Sequence, residues 1–289
     1  MMTIWKQHRK KMKKKMLSSF KWSSLPMIAL VLVFCVGFID DAQEPVRAAP
    51  VSKKVAIIID DLGNGMEGTE EILSLPAKIN VAIMPFLPTT KKDAEMAHKK
   101  GVDVLVHMPM EPRSGRREWL GPGAITSDLS DEEIRKRVEA AIDDVPYAIG
   151  MNNHMGSKIT TDRRIMSIVL DVCKERGLFF VDSKTDYRSV VAELAVVKGL
   201  PPIVNEIFLD DHHNISHITN QMNLAEKRLE SKDSCVMIGH VGVGGLKTAS
   251  VIQNTIPRWS GKIEIISISE MVKQVWSWSP DSTLQTSNK

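Results

Sequence analysis

The sequence has little cysteine, three residues in 289, and none of the three sits at CxxC spacing. That excludes a cysteine-built zinc module and a dithiol redox motif. Cys173 and Cys235 fall inside a helix-like and a strand-like run and read as two buried thiols rather than a bridge. The chain also lacks positive charge where a nucleic-acid surface would need it. Its formal charge is +3, but eight lysines and arginines lie in residues 1–24, a stretch without one acid, so the remainder carries −5. A mildly acidic domain has no basic face for nucleic acid. The glycine-rich stretch 242–247 lacks the GxxxxGK[ST] pattern of a phosphate loop and reads as a strand-to-helix turn. No internal repeat and no second domain are visible.

What is present begins with a leader. The basic run 1–24 precedes Leu25 to Ile39, fifteen residues without a charge, then Asp40-Asp41 and a small-residue stretch with Val46-Arg47-Ala48 as a possible cleavage site. This order describes an export signal or an uncleaved anchor. Fifteen apolar residues are long for the first and short of the roughly 20 that span a bilayer. Either way, residue 50 onward is expected outside the cytoplasm, secreted or tethered, because positive charge stays inside. The N-terminal segment then engages the membrane or the export machinery. Residues 40–52 read as a linker, 53–276 as one domain and 277–289 as a polar tail.

From Val51 short apolar runs alternate with longer amphipathic ones. Strand-like runs fall at 55–59, 79–84, 102–108, 147–151, 178–181, 203–209, 235–238 and 263–268, and helix-like stretches lie between them. Ser130 with Glu133 forms a capping box, Thr161-Asp162 opens another helix, and Gly101, Gly177 and Gly199 sit where helices should stop. The alternation predicts an α/β fold, a parallel (β/α) barrel of seven or eight strands, distorted or incomplete.

The reactive residues gather at the ends of these runs. Asp60-Asp61 ends the first, His107 the third, His154 follows the fourth, Asp182 ends the fifth, Asp210-Asp211 the sixth and His240 the seventh. In a parallel barrel all these ends open on one face, where active sites are built. One aspartate with two neutral imidazoles is a donor set suited to Zn²⁺ that leaves room for a water and a substrate oxygen. A further histidine can protonate a leaving group. His213 and His217 have i, i+4 spacing, but Asn214 and Ser216 beside them suggest a polar helix start at the surface.

The segments Ile57–Gly63 (IIIDDLG), His107–Pro112 (HMPMEP), Asn152–Ser157 (NNHMGS), Phe180–Thr185 (FVDSKT) and Ile238–His240 (IGH) occur in this order. Together they resemble the divergent polysaccharide deacetylase family, relatives of metal-dependent carbohydrate esterases that remove acetyl groups on a distorted (β/α) barrel. The resemblance implies Asp60 as catalytic base, Asp61 as metal ligand and His240 as general acid. His107 is the second ligand. The third is His154 or Glu111, with His154 preferred because Pro109 and Pro112 disfavour a helical pairing of His107 with Glu111, and because zinc favours nitrogen. Asp182 is expected to orient His240 or a loop, and Arg113 (or Arg116 or Arg117) and Asn153 to contact the sugar. The expected function is metal-dependent hydrolysis, the removal of acetyl groups from an envelope or extracellular polysaccharide with one divalent ion, most simply Zn²⁺. A binding or regulatory envelope protein that keeps the ion as structure is the alternative.

Overall fold

The computed structural model describes residues 53–280. The expected basic region, leader, linker and last nine residues of the tail lie outside them. Nine strands alternate with eight helices: β1 Lys53–Leu62, α1 Thr69–Leu73, β2 Asn80–Ile83, α2 Thr90–Lys99, β3 Val104–Met110, α3 Asp131–Asp144, β4 Ala148–Met155, α4 Arg163–Glu175, β5 Phe179–Asp182, α5 Val191–Lys198, β6 Ile203–Val204, β7 Ile207–Phe208, α6 Ile215–Leu229, β8 Ser234–His240, α7 Gly245–Trp259, β9 Ile263–Ile265 and α8 Ile268–Trp276. Every strand pair is parallel.

The local signals explain the helix ends. Ser130 Oγ accepts from Glu133 N at the start of α3, and Asp162 caps α4 through Ile165 N. Gly101, Gly177 and Gly199 follow their helices at φ 69, 71 and 74°, the left-handed step that ends a helix cheaply only at glycine. The run 203–209 departs from expectation by splitting in two, because Asn205 breaks it. Its side chain accepts from Ile207 N and donates to Ser183 O.

The sheet runs β6-β5-β4-β3-β2-β1-β8-β7, with β9 beside the start of β1. Its two edges, β6 and β7, are consecutive in the chain, so one kinked segment closes the curl. It pairs with β5 before the kink and with β8 after it. On the far side, β1 changes neighbour from β9 to β2 near Ile57. Buried Asn80 fills that gap by donating to Ile57 O and accepting from Ile268 N.

Alternation along the strands divides the core. Val55, Ile57 and Ile59 face the helices, whereas Ala56, Ile58, Leu105, Phe179, Val181, Val236 and Ile238 fill the barrel. Burying one such aliphatic side chain contributes roughly 1.5–3 kcal/mol. Gly150 lies on the inner face, where a Cβ would come within 2.5 Å of the Phe179 ring. The lower end is stopped by Ile268, Met271 and Val272 of α8. Trp278 packs there edge-on to Phe179 at 6.2 Å. Cys173 and Cys235 are both buried and free.

Candidate functional site

The inward file that begins with Ala56 and Ile58 continues to Asp60. On β3 it runs from Leu105 to His107, on β4 from Gly150 to Asn152 and His154, and on β8 from Val236 and Ile238 to His240. Register confirms the shared level: Asp60 pairs with His240 and His107 with Asn152. Neighbouring parallel strands lie about 4.8 Å apart, so side chains on one level meet.

Asp61 should point away from Asp60, since successive strand residues face opposite sides. It does not, because β1 carries a bulge. Between Ile59 and Leu62 the strand spends three steps where β2 spends two, and Asp61 takes φ 69°. Aspartate is among the few non-glycine residues enriched in this conformation. The extra residue turns Asp61 into the site and returns Leu62 to the outer core.

There, Asp61 Oδ1 lies 3.2 Å from His107 Nε2 and 3.0 Å from His154 Nδ1, and the two nitrogens are 3.1 Å apart. The far nitrogen of each ring is already committed. His154 Nε2 is 2.9 Å from Trp119 O, a carbonyl that can only accept. His107 Nδ1 is 2.7 Å from Asn152 Oδ1, whose amide nitrogen donates to Asp60 Oδ1 at 2.8 Å. Each neutral imidazole therefore carries its proton outward and turns a lone pair inward. Two lone pairs and a carboxylate oxygen meet with no proton between them, and Asp61 Oδ1 is buried without a hydrogen-bond partner. The three atoms form a group able to hold a metal ion. Ligand bonds of about 2.0–2.1 Å in tetrahedral geometry require edges of about 3.3 Å, so the donor set and its spacing fit a divalent ion.

The electrostatics separate the two adjacent acids. Burial opposes ionisation of Asp61, but when His107 and His154 carry protons toward it their hydrogen bonds and charge outweigh burial and hold the carboxyl well below the usual range. With both rings neutral that place is open to a cation. Asp60 is more deeply enclosed, and burial raises its carboxyl despite His107, His240 and the Asn152 bond. Burial likewise works against charge on His240, yet its imidazolium is held up to about 9. The cause is Asp210, whose Oδ1 lies 2.7 Å from His240 Nδ1 while Oδ2 accepts from His240 N and from Thr248 Oγ1.

Four expected site residues lie elsewhere. Asp182 does not touch His240. Phe179 and Val181 point inward, so Asp182 points out of the barrel, where it accepts from Lys184 N. Of the two roles expected, it orients a loop, and Asp210 is the partner of His240. Asn153 has the same outward parity and is spent on backbone, accepting from Ser183 N and donating to Met155 O. Glu111 lies outside the group of Asp61, His107 and His154: its carboxylate accepts from Lys158 Nζ and Ser127 N, fastening the loop after β3 to the loop after β4. Arg113 is tied to Asp186 and Thr161, which bridges loops rather than presenting a free cation. His213 precedes the α6 cap Asn214 and is exposed, so it shares no helix face with His217, which pairs with Asp211. Asn152, Asp210, Thr248 and Trp119 were not assigned roles from the sequence. Asn152 and Asp210 fall on inward positions only once the structure sets the parity, and nothing in the sequence flags the Trp119 carbonyl.

Comparisons with known proteins bear on the fold and the family. The chain is 32% identical over 221 residues to the uncharacterized protein YibQ of Escherichia coli K12, covering 76% of this chain and 68% of that one. An uncharacterized protein from Agrobacterium tumefaciens C58 shares its fold with a TM-score of 0.71 at 18% identity, over 76% of this chain and 89% of that one. The Xyl-CE4 domain of a multidomain xylanase from the hindgut metagenome of Trinervitermes trinervoides aligns with a TM-score of 0.50 at 12% identity, over 80% and 94%. Residues 57–272 match the model of the divergent polysaccharide deacetylases, and the chain belongs to that family.

Proposed function

We propose that the protein is a metal-dependent hydrolase that removes acetyl groups from an envelope or extracellular polysaccharide. The observation that carries this reading is the inward-facing lone-pair triangle of Asp61, His107 and His154, with Asp60 on one side and the Asp210–His240 pair beside it. Such a set suits Zn²⁺. When bound, the ion would lower the pKa of a water and polarise the acetyl carbonyl.

The chain's own residues supply the proton traffic. Asp60, aimed by Asn152, takes a proton from the attacking water as the new C–O bond forms. Asp60 must be ionised for this, and cationic charge in the adjacent triangle favours that form against burial. His240 is fixed by Asp210 through Nδ1, so Nε2 remains to donate. It gives its proton to the sugar nitrogen or oxygen as the bond to the acyl carbon breaks, releasing acetate. Asp210 keeps the imidazole charged until then.

Acetate release from acetylated glycans tests the reading. Release that stops with a chelator and returns with Zn²⁺ is expected. A folded, ion-loaded protein that frees no acetate from any of a panel of N- and O-acetylated glycans would refute it and favour a binding or regulatory role. The leader-like residues 1–39 support an extracytoplasmic site of action. A reporter joined after residue 52 should be active only outside the cytoplasm.

A further inference from the structure

The rim of the site carries an aromatic side chain that this chemistry does not use. Trp119 closes a 3-10 turn, Arg117–Trp119, in the loop after β3. Its carbonyl is bonded to His154, so its backbone is one hydrogen bond from the triangle, while its side chain is 59% exposed. The Arg116 guanidinium carbon lies 5.6 Å from the indole centroid. At that distance the cation is within reach of the ring's π face, and a guanidinium offers its N–H fork to a planar anion. Among the described residues none forms an ion pair with Arg116. Exposed Glu118, two residues on, does not, and Asp186 is taken by Arg113 and Arg188.

The platform stands on a fixed base. Glu111 clamps the root of the loop, Glu111 N donates to Ile125 O, Ile125 N donates to Pro109 O, and Trp119 N returns to Arg116 O. Presenting a large aromatic face on an ordered loop lowers the ordering cost of binding. A flat apolar face suits the C–H side of a sugar ring, and a free guanidinium edge suits a carboxylate in the fork-to-fork geometry that neutral hydroxyls cannot match.

We propose that Arg116 and Trp119 form a subsite for a sugar ring bearing a carboxylate, next to the ring that loses its acetyl group, so that the substrate is an acidic glycan. This deepens the polysaccharide reading above and rests on it. Because the Trp119 carbonyl, not its indole, supports His154, removing the side chain separates glycan binding from ion binding.

The test measures binding rather than turnover. Isothermal titration of the intact, zinc-loaded protein would compare a hexamer of galacturonate with a hexamer of glucose, neither carrying acetyl groups. The uronate should bind tighter by about tenfold, the worth of one charge-assisted contact, and lose that margin in high salt. Arg116→Gln should bring the uronate down to the glucose value. Trp119→Ala should weaken both by about tenfold, Trp119→Phe should keep most of the binding, and zinc content should stay at the wild-type level in all three variants. Equal binding of the two hexamers overturns the carboxylate assignment, and unchanged binding in Trp119→Ala overturns the platform. Loss of zinc in Trp119→Ala also overturns it, because the residue would then act only through His154. Absence of glycan binding with acetate release intact defeats this proposal and leaves the hydrolase reading standing.

Discussion

At the lower end of the barrel Ala56, Ile58, Leu105, Val236 and Ile238 pack on α8. One turn of the pleat further along the same strands, Asp60, His107 and His240 stand in the same inward file. Among the described residues no helix plugs the upper end as α8 does the lower, and the inward groups there are tied to one another by Asn152 and Asp210. Equal positions thus carry opposite physics. Below, stability comes from area removed from water. Above, polar groups are enclosed at a cost, which the proposed site offsets by what it would bind. Substitutions at the two ends should therefore separate cleanly, stability moving without chemistry below and chemistry without stability above.

The largest effect is expected at the triangle. Asp61→Ala, His107→Ala or His154→Ala should reduce zinc, measured by elemental analysis after gel filtration, from one ion per chain to a trace, with activity at background. Asp61→Glu is the sharper variant. It keeps a carboxylate, but glutamate lacks aspartate's tolerance of positive φ, so ion binding should still be lost. Asp60→Asn and His240→Ala should retain zinc and fold while losing roughly 10²–10⁴ in kcat. If Asp60→Asn lost its ion, Asp60 would be a ligand and not the base.

The reciprocal change lies at the bottom. Ile58→Ala should cost about 2–5 kcal/mol in denaturant unfolding, with kcat unchanged at a temperature where the variant remains folded. A large fall in kcat there would break the separation of the two ends. A subtler effect is the pH profile. His240 donates only while protonated, and Asp210 raises its pKa, so activity should fall as pH rises through about 9. Asp210→Asn removes that support and should move the alkaline limb to lower pH. Smallest of all, Asp182→Asn should leave kcat within about twofold, since its side chain points away from the file.

The sequence displays the barrel well. Runs such as 55–59 and 235–238 are continuously apolar, and helix ends at Ser130, Asp162 and Gly199 carry their own signals. The same continuity hides the parity of the site. A strand buried on both faces is apolar on both, so nothing in the run 178–181 tells which residues face inward, and the two roles expected of Asp182, orienting His240 or a loop, cannot be separated there. His107, His154 and His240 could be gathered because strand ends share a face whatever their parity. Asn152 was legible as a polar residue before His154, but its bridge from His107 to Asp60 needs two strands in register. The bulge is not legible at all: Asp60-Asp61 reads as two residues pointing apart until one takes φ 69°.

That bulge makes the alignment of β1 a matter of counting. Deleting one residue between Ile59 and Leu62 would leave everything up to Ile59 untouched, so the barrel could still assemble. It would also restore plain alternation above, offering one carboxylate to the cavity where two now stand, and the surviving acid could not be base and ligand together. Within the lineage, then, length changes at this point should be far rarer than substitutions around it. A relative that has lost the extra residue can be expected to keep the shape of the molecule and to have given up its reaction.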